Sequence, residues 1–234
     1  MELTAGAAKQ FLGCFWLITM DREITGIKAQ KKNPERVSIF LDGEYAFGLS
    51  RIVAAWLQPG QQLGEKKIES LLASDANEVA YLKALRLINL KPRTEKEIKL
   101  KLISGGFDEN QCTLVLNRLN EAGLVADDKY AKQWVENRNE LPPRSRRLIS
   151  IELRQKGIAD EVIEQVLEDS STDEELALQA ATQYARKLNL DDGMKFRNRL
   201  SAFLARRGFS YGTIAPVVRT VWELTKSENT HPEK

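Results

Sequence analysis

A chain of 234 residues that is 42% hydrophobic and 29% charged holds enough apolar content to core one large or two ordinary domains, which sets aside a disordered or fibrous protein. Its 35 basic and 33 acidic residues leave a net charge of only +2, so attraction to a polyanion must come from where charges cluster and not from their sum. Two cysteines far apart, Cys14 and Cys112, without CxxC spacing, argue against a disulfide framework or a zinc site and fit a reducing cytosol.

Residues 11–20 are apolar but too short to cross a bilayer, and no small-residue cleavage site follows them. Residues 1–20 therefore read as a disordered leader or a mis-assigned start ahead of Met20, with a signal peptide as the rival reading. Strand patterns follow at 24–29, 36–41 and 44–49. Asp42-Gly43 between the last two marks a two-residue hairpin turn, because both central positions need positive φ. So small a sheet needs the next helices to pack on. Ser50 is expected to cap a helix over 51–57 that Pro59-Gly60 ends, and Gly64 to introduce a second over 65–72. Residues 21–75 thus form an N-terminal region with a β-hairpin and two short helices.

Beyond Ala76 the period is helical. Val79, Leu82, Leu85 and Ile88 recur three apart, widened by Ala80, Ala84 and Leu87, until Pro92 closes the helix. A longer period then governs the chain. Gly106-Phe107, Gly157-Ile158 and Gly208-Phe209 lie 51 residues apart, and the same step superimposes Leu102, Leu153 and Leu204, then Ile98, Ile149 and Leu200, then Val115, Val166 and Val217. It also aligns Cys112 with Ile163 and Ile214, and Arg93 with Arg144 and Lys195. Such self-similarity is the mark of stacked supersecondary units.

Each unit reads as three helices. Thr94-Glu95-Lys96-Glu97 and Asp108-Glu109-Asn110-Gln111 are capping boxes that open the second and third helices of the first unit, and Asp160 and Ser210 start the matching third helices. The glycine supplies the left-handed residue that ends the second helix, and Phe107, Ile158 and Phe209 plug the corner behind it as core, not as a site. The fold class is mainly α: a tandem array of three three-helix repeats, at 76–125, 126–171 and 172–225, preceded by a small antiparallel β-sheet and short helices. Residues 226–234, with the single histidine His231, read as a frayed tail.

Several runs carry a resemblance: Ala84-Leu85-Arg86-Leu87, Pro92-Arg93-Thr94-Glu95-Lys96-Glu97, Gly106-Phe107, Leu119-Asn120-Glu121-Ala122-Gly123-Leu124 before Asp127-Asp128-Lys129-Tyr130-Ala131, and Arg206-Arg207-Gly208-Phe209. Over about residues 79–224 the chain resembles the RecX family of bacterial regulatory proteins, and its strand-rich 24–72 segment resembles the front extension of longer members. Where the family usually has leucine before its paired aspartates, Val125-Ala126 stands here, which leaves a helix cap intact. The resemblance implies a cytoplasmic, non-enzymatic protein that binds the RecA recombinase filament on single-stranded DNA. There it would restrain strand exchange and co-protease activity, modulating DNA repair, homologous recombination and the SOS response.

The residues themselves offer two basic clusters on second helices. Arg144, Arg146, Arg147, Arg154 and Lys156 face one acid, Glu152, between residues 141 and 158. Lys195, Arg197, Arg199, Arg206, Arg207 and Arg219 face none between 195 and 219. Bases in a last helical turn also complement the helix dipole, so a solvated face competes with a repeated ridge that meets phosphate or an acidic groove. Of the aromatics Tyr130, Trp134, Tyr184, Phe196, Phe203, Tyr211 and Trp222, most fall on apolar faces, and Tyr211 is the best placed for contact. The candidate partner- or DNA-binding residues are Tyr211 and the bases of both clusters apart from Arg219. No catalytic motif, cofactor or metal site is recognisable, and Asp127-Asp128 and Asp191-Asp192 read as helix caps. A monomer is expected, off the membrane, bound to the recombinase filament and open to direct single-stranded DNA contact; a general nucleic-acid-binding helical protein is the alternative.

Overall fold

The computed structural model describes residues 21–140 and 142–230. The expectations for residues 1–20 and for His231 lie outside them. Two compact units are distinguished, divided after Lys83.

In the first, β1 (Arg22–Gln30), β2 (Asn33–Leu41), β3 (Glu44–Ser50) and β4 (Gln62–Leu63) form one antiparallel sheet in the order β3-β2-β1-β4. The expected hairpin is present: Asp42 at φ 50° and Gly43 at φ 89° make the turn, which follows the strand twist. The Asp42 carboxylate also accepts from Arg22 Nε at 2.8 Å and the Glu23 amide at 3.0 Å, tying the turn to β1. Alternation sends Val37, Ile39 and Leu41 inward, where they join Ile24, Leu49, Ala54, Leu57, Leu63 and Leu71 in one apolar core.

Two expectations in this region are corrected. Ser50 caps no helix; it ends β3, and only a single 3-10 turn follows at Val53–Trp56, without a side-chain cap. The Ser50 amide instead donates to Asp75 at 2.6 Å, and Asp75 also receives Arg36 Nη2 at 2.7 Å. The second short helix is in fact the start of α1 (Glu65–Leu90), unbroken through Ala76. Ser74 and Asp75 look like helix breakers, but the Ser74 hydroxyl bonds back to the Ser70 carbonyl at 2.8 Å and Asp75 is occupied by the sheet, so neither competes for the helix backbone. Along α1 the closest packing falls on the small residues: Ala80 and Ala84 are fully buried, whereas Val79 and Leu82 are exposed.

Eight further helices are described: α2 (Glu95–Ile103), α3 (Glu109–Glu121), α4 (Asp127–Glu140), α5 (Arg146–Lys156), α6 (Asp160–Glu168), α7 (Asp173–Ala185), α8 (Gly193–Arg206) and α9 (Tyr211–Thr230). The 51-residue signature is one backbone motif made three times. Gly106, Gly157 and Gly208 have φ of 90°, 88° and 87°. Phe107, Ile158 and Phe209 donate their amides to the carbonyls of Leu102, Leu153 and Leu204 at 3.3, 3.1 and 3.4 Å, and each glycine amide bonds the carbonyl three residues back at 3.0 Å. This is the Schellman closure of a helix C-terminus. Ile158 and Phe209 are buried plugs, while Phe107 is only half-buried.

The caps are partly as expected. Asp108 and Gln111 complete a capping box. Thr94 caps Glu97, but the Glu97 side chain turns away to Lys156, so that box is half made. Asp192 caps α8 through Met194 and Lys195, both at 3.0 Å. Asp127 serves a different helix from its own, accepting from the Glu95 amide at the head of α2 at 3.1 Å, and Asp173 does the same for the Arg146 amide at the head of α5 at 2.8 Å. The third repeat has its own core of Leu176, Ala177, Ala180, Ala181, Phe196, Leu200, Leu204, Phe209, Ile214, Val217 and Val221. Helix α9 runs on to Thr230, past the start of the expected tail at residue 226.

Candidate functional site

Of the eleven candidate residues, Lys156 and Arg207 tie neighbouring repeats together and Arg146 ties down the end of its own repeat. The heads of α2 and α5 each abut the closing corner of a later helix: the Thr94 hydroxyl donates to the Lys156 carbonyl at 2.7 Å, and the Ser145 amide donates to the Arg207 carbonyl at 3.0 Å. At the first of these joints Lys156 Nζ meets Glu97 at 2.5 Å and lies 5.3 Å from the Trp134 ring centre. The Glu97 bond raises the Lys156 pKa further above the ordinary lysine range; burial would push Glu97 up, yet Lys156 holds it below the usual carboxylate range. Arg146 donates through Nε to the Ser171 carbonyl at 2.9 Å and through its terminal nitrogen to the Ser170 carbonyl, just past the end of α6. Arg207 donates Nη1 to the Pro142 carbonyl at 2.6 Å and stacks over Phe203 at 4.6 Å.

Arg144 is corrected in place: it lies before α5, not on it. It pairs with Glu152, which also receives Arg138 Nε at 2.8 Å and the Trp134 indole N–H at 2.9 Å. Burial would raise the Glu152 carboxyl, but Arg138, the indole and Arg144 together hold it below the ordinary range. Arg138 was not among the sequence candidates, although its charge sits one helical turn from Trp134 and its guanidinium lies 4.4 Å from that ring centre.

The remaining candidates face water. Arg154 pairs with Asp160 at 2.6 Å, Lys195 with Asp192 at 3.2 Å, and Arg197 lies 5.7 Å from the Trp222 ring centre. Among the described residues the side chains of Arg147, Arg199 and Arg206 are exposed and make no hydrogen bond or ion pair. Tyr211, at the head of α9, is 84% exposed. The other aromatics are packed: Tyr184 stacks on Phe203 at 4.0 Å, Tyr130 on Trp134 at 5.8 Å, and Phe196 is buried against Trp222. Among the described residues no group of three or more His, Cys, Asp or Glu is placed to hold a metal ion, and no helix is long and apolar enough to cross a membrane.

Arg144, Arg206 and Arg207, with Leu148 and Phe203, line one cleft of about 240 Å³ beside the joint of the second and third repeats. Burial lowers the Arg207 pKa first, and the like charges of Arg144 and Arg206 lower it further. Its Nε is buried without a hydrogen-bond partner. This convergence of Arg144 with the adjacent pair Arg206 and Arg207, far along the sequence, is what spacing alone could not show.

Four family descriptions match the chain in order: the regulatory protein RecX N-terminal domain at residues 22–64, and the first, second and third three-helix domains of RecX at 80–119, 127–167 and 172–218. Regulatory protein RecX of Clostridium botulinum strain Eklund 17B is 33% identical over 205 residues, covering 84% of this chain and 95% of the relative. The protein of that name from Mycobacterium sp. strain JLS is 37% identical over 147 residues, covering 60% and 80%. A crystal structure of regulatory protein RecX superimposes with a TM-score of 0.68 at 28% identity over 88% of this chain and all of that one. That of RecX from Lactobacillus salivarius gives 0.57 at 26% identity, covering 64% and 99%.

Proposed function

Because this chain belongs to the RecX family of regulatory proteins, we propose that it binds the RecA recombinase filament on single-stranded DNA and inhibits its recombinase and co-protease activities, so modulating DNA repair. It does so as a cytoplasmic, non-enzymatic monomer. What supports the reading is the division of labour among the bases. Arg146, Lys156 and Arg207 are tied to carbonyls or carboxylates, whereas Arg147, Arg199 and Arg206 are exposed and unpaired on the second helices of repeats two and three. Stacked repeats offer an extended surface that can span several subunits of a filament, and guanidinium groups on it meet acidic or phosphate surfaces.

RecA-dependent ATP hydrolysis on single-stranded DNA tests the proposal. Inhibition well below one chain per RecA subunit, with little binding to naked DNA, is expected. Unchanged hydrolysis overturns the proposal, and binding to naked DNA without that inhibition favours a general nucleic-acid-binding protein. Replacing Arg147, Arg199 and Arg206 together with Gln should remove inhibition while leaving helical content unchanged; inhibition retained in that variant rejects these residues as the contact.

A further inference from the structure

The two joints that link successive repeats are built alike and charged differently. The 51-residue step relates Thr94 to Ser145, Lys156 to Arg207, and Gly157 to Gly208. It also relates Glu97 to Leu148, and Gln155 to Arg206. In the first joint the base at the helix end finds its carboxylate: Lys156 meets Glu97 at 2.5 Å. In the second joint the corresponding position is apolar, and the neighbouring glutamine has become a third base.

No carboxylate lines the cleft itself. The carboxylate paired with Arg144 is Glu152, and it is shared with Arg138. Arg206 is unpaired, and Arg207 has only the Pro142 carbonyl and the Phe203 ring, with its Nε orphaned. Close packing at the corner brings the bases together, since a Cβ on Gly208 would fall 2.5 Å from Ser145 Oγ and 2.9 Å from Leu148 Cβ, and the Ser145 amide bond to the Arg207 carbonyl at 3.0 Å ties the start of α5 to the end of α8. Like charges kept together in a partly desolvated cleft repel one another, and a bound anion relieves that repulsion. The lowered pKa of Arg207 agrees with this placement.

We propose that the cleft lined by Arg144, Leu148, Phe203, Arg206 and Arg207 is a phosphate-binding site. Guanidinium forks match phosphate oxygens geometrically, and more than one uncompensated positive charge suits a phosphate better than a single carboxylate. Phe203 is stacked on Tyr184 and covered by Arg207, so the site reads a phosphate group and not a base. The phosphate comes either from the backbone of a single-stranded polynucleotide or from a small phosphate compound. The inference rests on the reading of these arginines as contact residues, but its test does not need the recombinase.

Calorimetric titration of the full chain with inorganic pyrophosphate, at fixed ionic strength, reads the site directly. Binding is expected in the parent and in Lys129→Gln, an exposed lysine elsewhere. Leu148→Glu installs the carboxylate that the first joint already has, and should weaken binding roughly tenfold or more; Arg206→Glu, at an exposed position, should do the same without unfolding the chain. No binding by the parent, or equal binding by all four proteins, overturns the proposal. Titration with an oligothymidylate lacking terminal phosphates identifies the source. Loss of its binding in both variants points to a polynucleotide backbone, and unchanged binding alongside lost pyrophosphate points to a small phosphate compound. Filament inhibition without pyrophosphate binding rejects the cleft alone, and pyrophosphate binding without inhibition rejects only the filament reading.

Discussion

Thr94 donates its hydroxyl to the main-chain carbonyl of Lys156 at 2.7 Å across 62 residues of sequence, and both Thr94 and its counterpart Ser145 are fully buried. Each is a helix cap and a joint at once: its side-chain oxygen holds its own helix, at Glu97 or Leu148, while a donor of the same residue reaches the next repeat. Repeats are therefore linked through helix termini, where unpaired backbone groups need partners in any case.

The first prediction concerns the glycines of these corners. A Cβ on Gly157 would lie 2.6 Å from Lys96 Cβ, and one on Gly208 would lie 2.5 Å from Ser145 Oγ, whereas Gly106 has nothing within 4 Å. All three have positive φ, so alanine costs about 1–2 kcal/mol at each from the left-handed backbone alone. Gly157→Ala and Gly208→Ala should cost roughly 1–3 kcal/mol more than Gly106→Ala because the joint must also open. Urea denaturation of the three variants checks this; equal losses would mean the joints contribute no packing constraint.

Much of this organisation was legible in the sequence because it rests on local chemistry. Asp42-Gly43 needs positive φ whatever surrounds it, and the glycine with its apolar successor ends a helix in the same way three times. Polar side chains whose partners lie far along the chain were not legible. Asp75 looks like a helix breaker until the Ser50 amide and Arg36 are seen to occupy it. Asp127 looks like the cap of its own helix and serves Glu95 instead. In the basic clusters, spacing could not separate Arg146, committed to the Ser170 and Ser171 carbonyls, from its neighbour Arg147, which is exposed and unpaired. Nor could it place Arg144 beside Arg207.

Asp75 yields the second prediction. It is 7% exposed and accepts from both the Ser50 amide and the Arg36 guanidinium. Asp75→Ala leaves a buried amide and a half-buried charge without their acceptor, a loss of about 2–4 kcal/mol. Asp75→Asn keeps one acceptor oxygen and should lose less. Thermal denaturation of both variants tests the order, and a neutral Asp75→Ala would refute the role assigned to the carboxylate.

The plugs behind the glycines should not be equivalent. Phe209 is 5% exposed within the third-repeat core, so Phe209→Ala should cost about 3–5 kcal/mol. Phe107 occupies the same motif but is half-buried, and Phe107→Ala should cost clearly less. Chemical denaturation distinguishes them, and a larger loss at Phe107 would contradict the burial on which the prediction rests.

The last prediction is a pair of opposite pH responses. Glu152 titrates below its ordinary value in the folded chain because Arg138, Trp134 and Arg144 outweigh its burial. A depressed carboxyl pKa means that the unfolded chain binds the proton more readily. The stability Glu152 contributes is therefore complete above about pH 4.3, its unfolded value, and is lost as pH falls through the lower folded value. Asp127 has the opposite sign: burial raises its pKa, with Glu95 and Asp128 adding repulsion, although the Glu95 amide works against them. The folded chain then holds that proton more tightly, so protonating Asp127 favours the fold. Measured by urea denaturation, the stability deficit of Glu152→Gln should be largest near neutrality and shrink as pH falls below about 4. Between parent and Asp127→Asn the difference should move the other way, the parent gaining on the variant as pH falls through the raised pKa. Asparagine keeps an acceptor oxygen for the Glu95 amide, so this comparison isolates the charge from the cap. Parallel pH dependence in the two variants would show that the cluster around Glu152 and the burial of Asp127 do not set their ionisation.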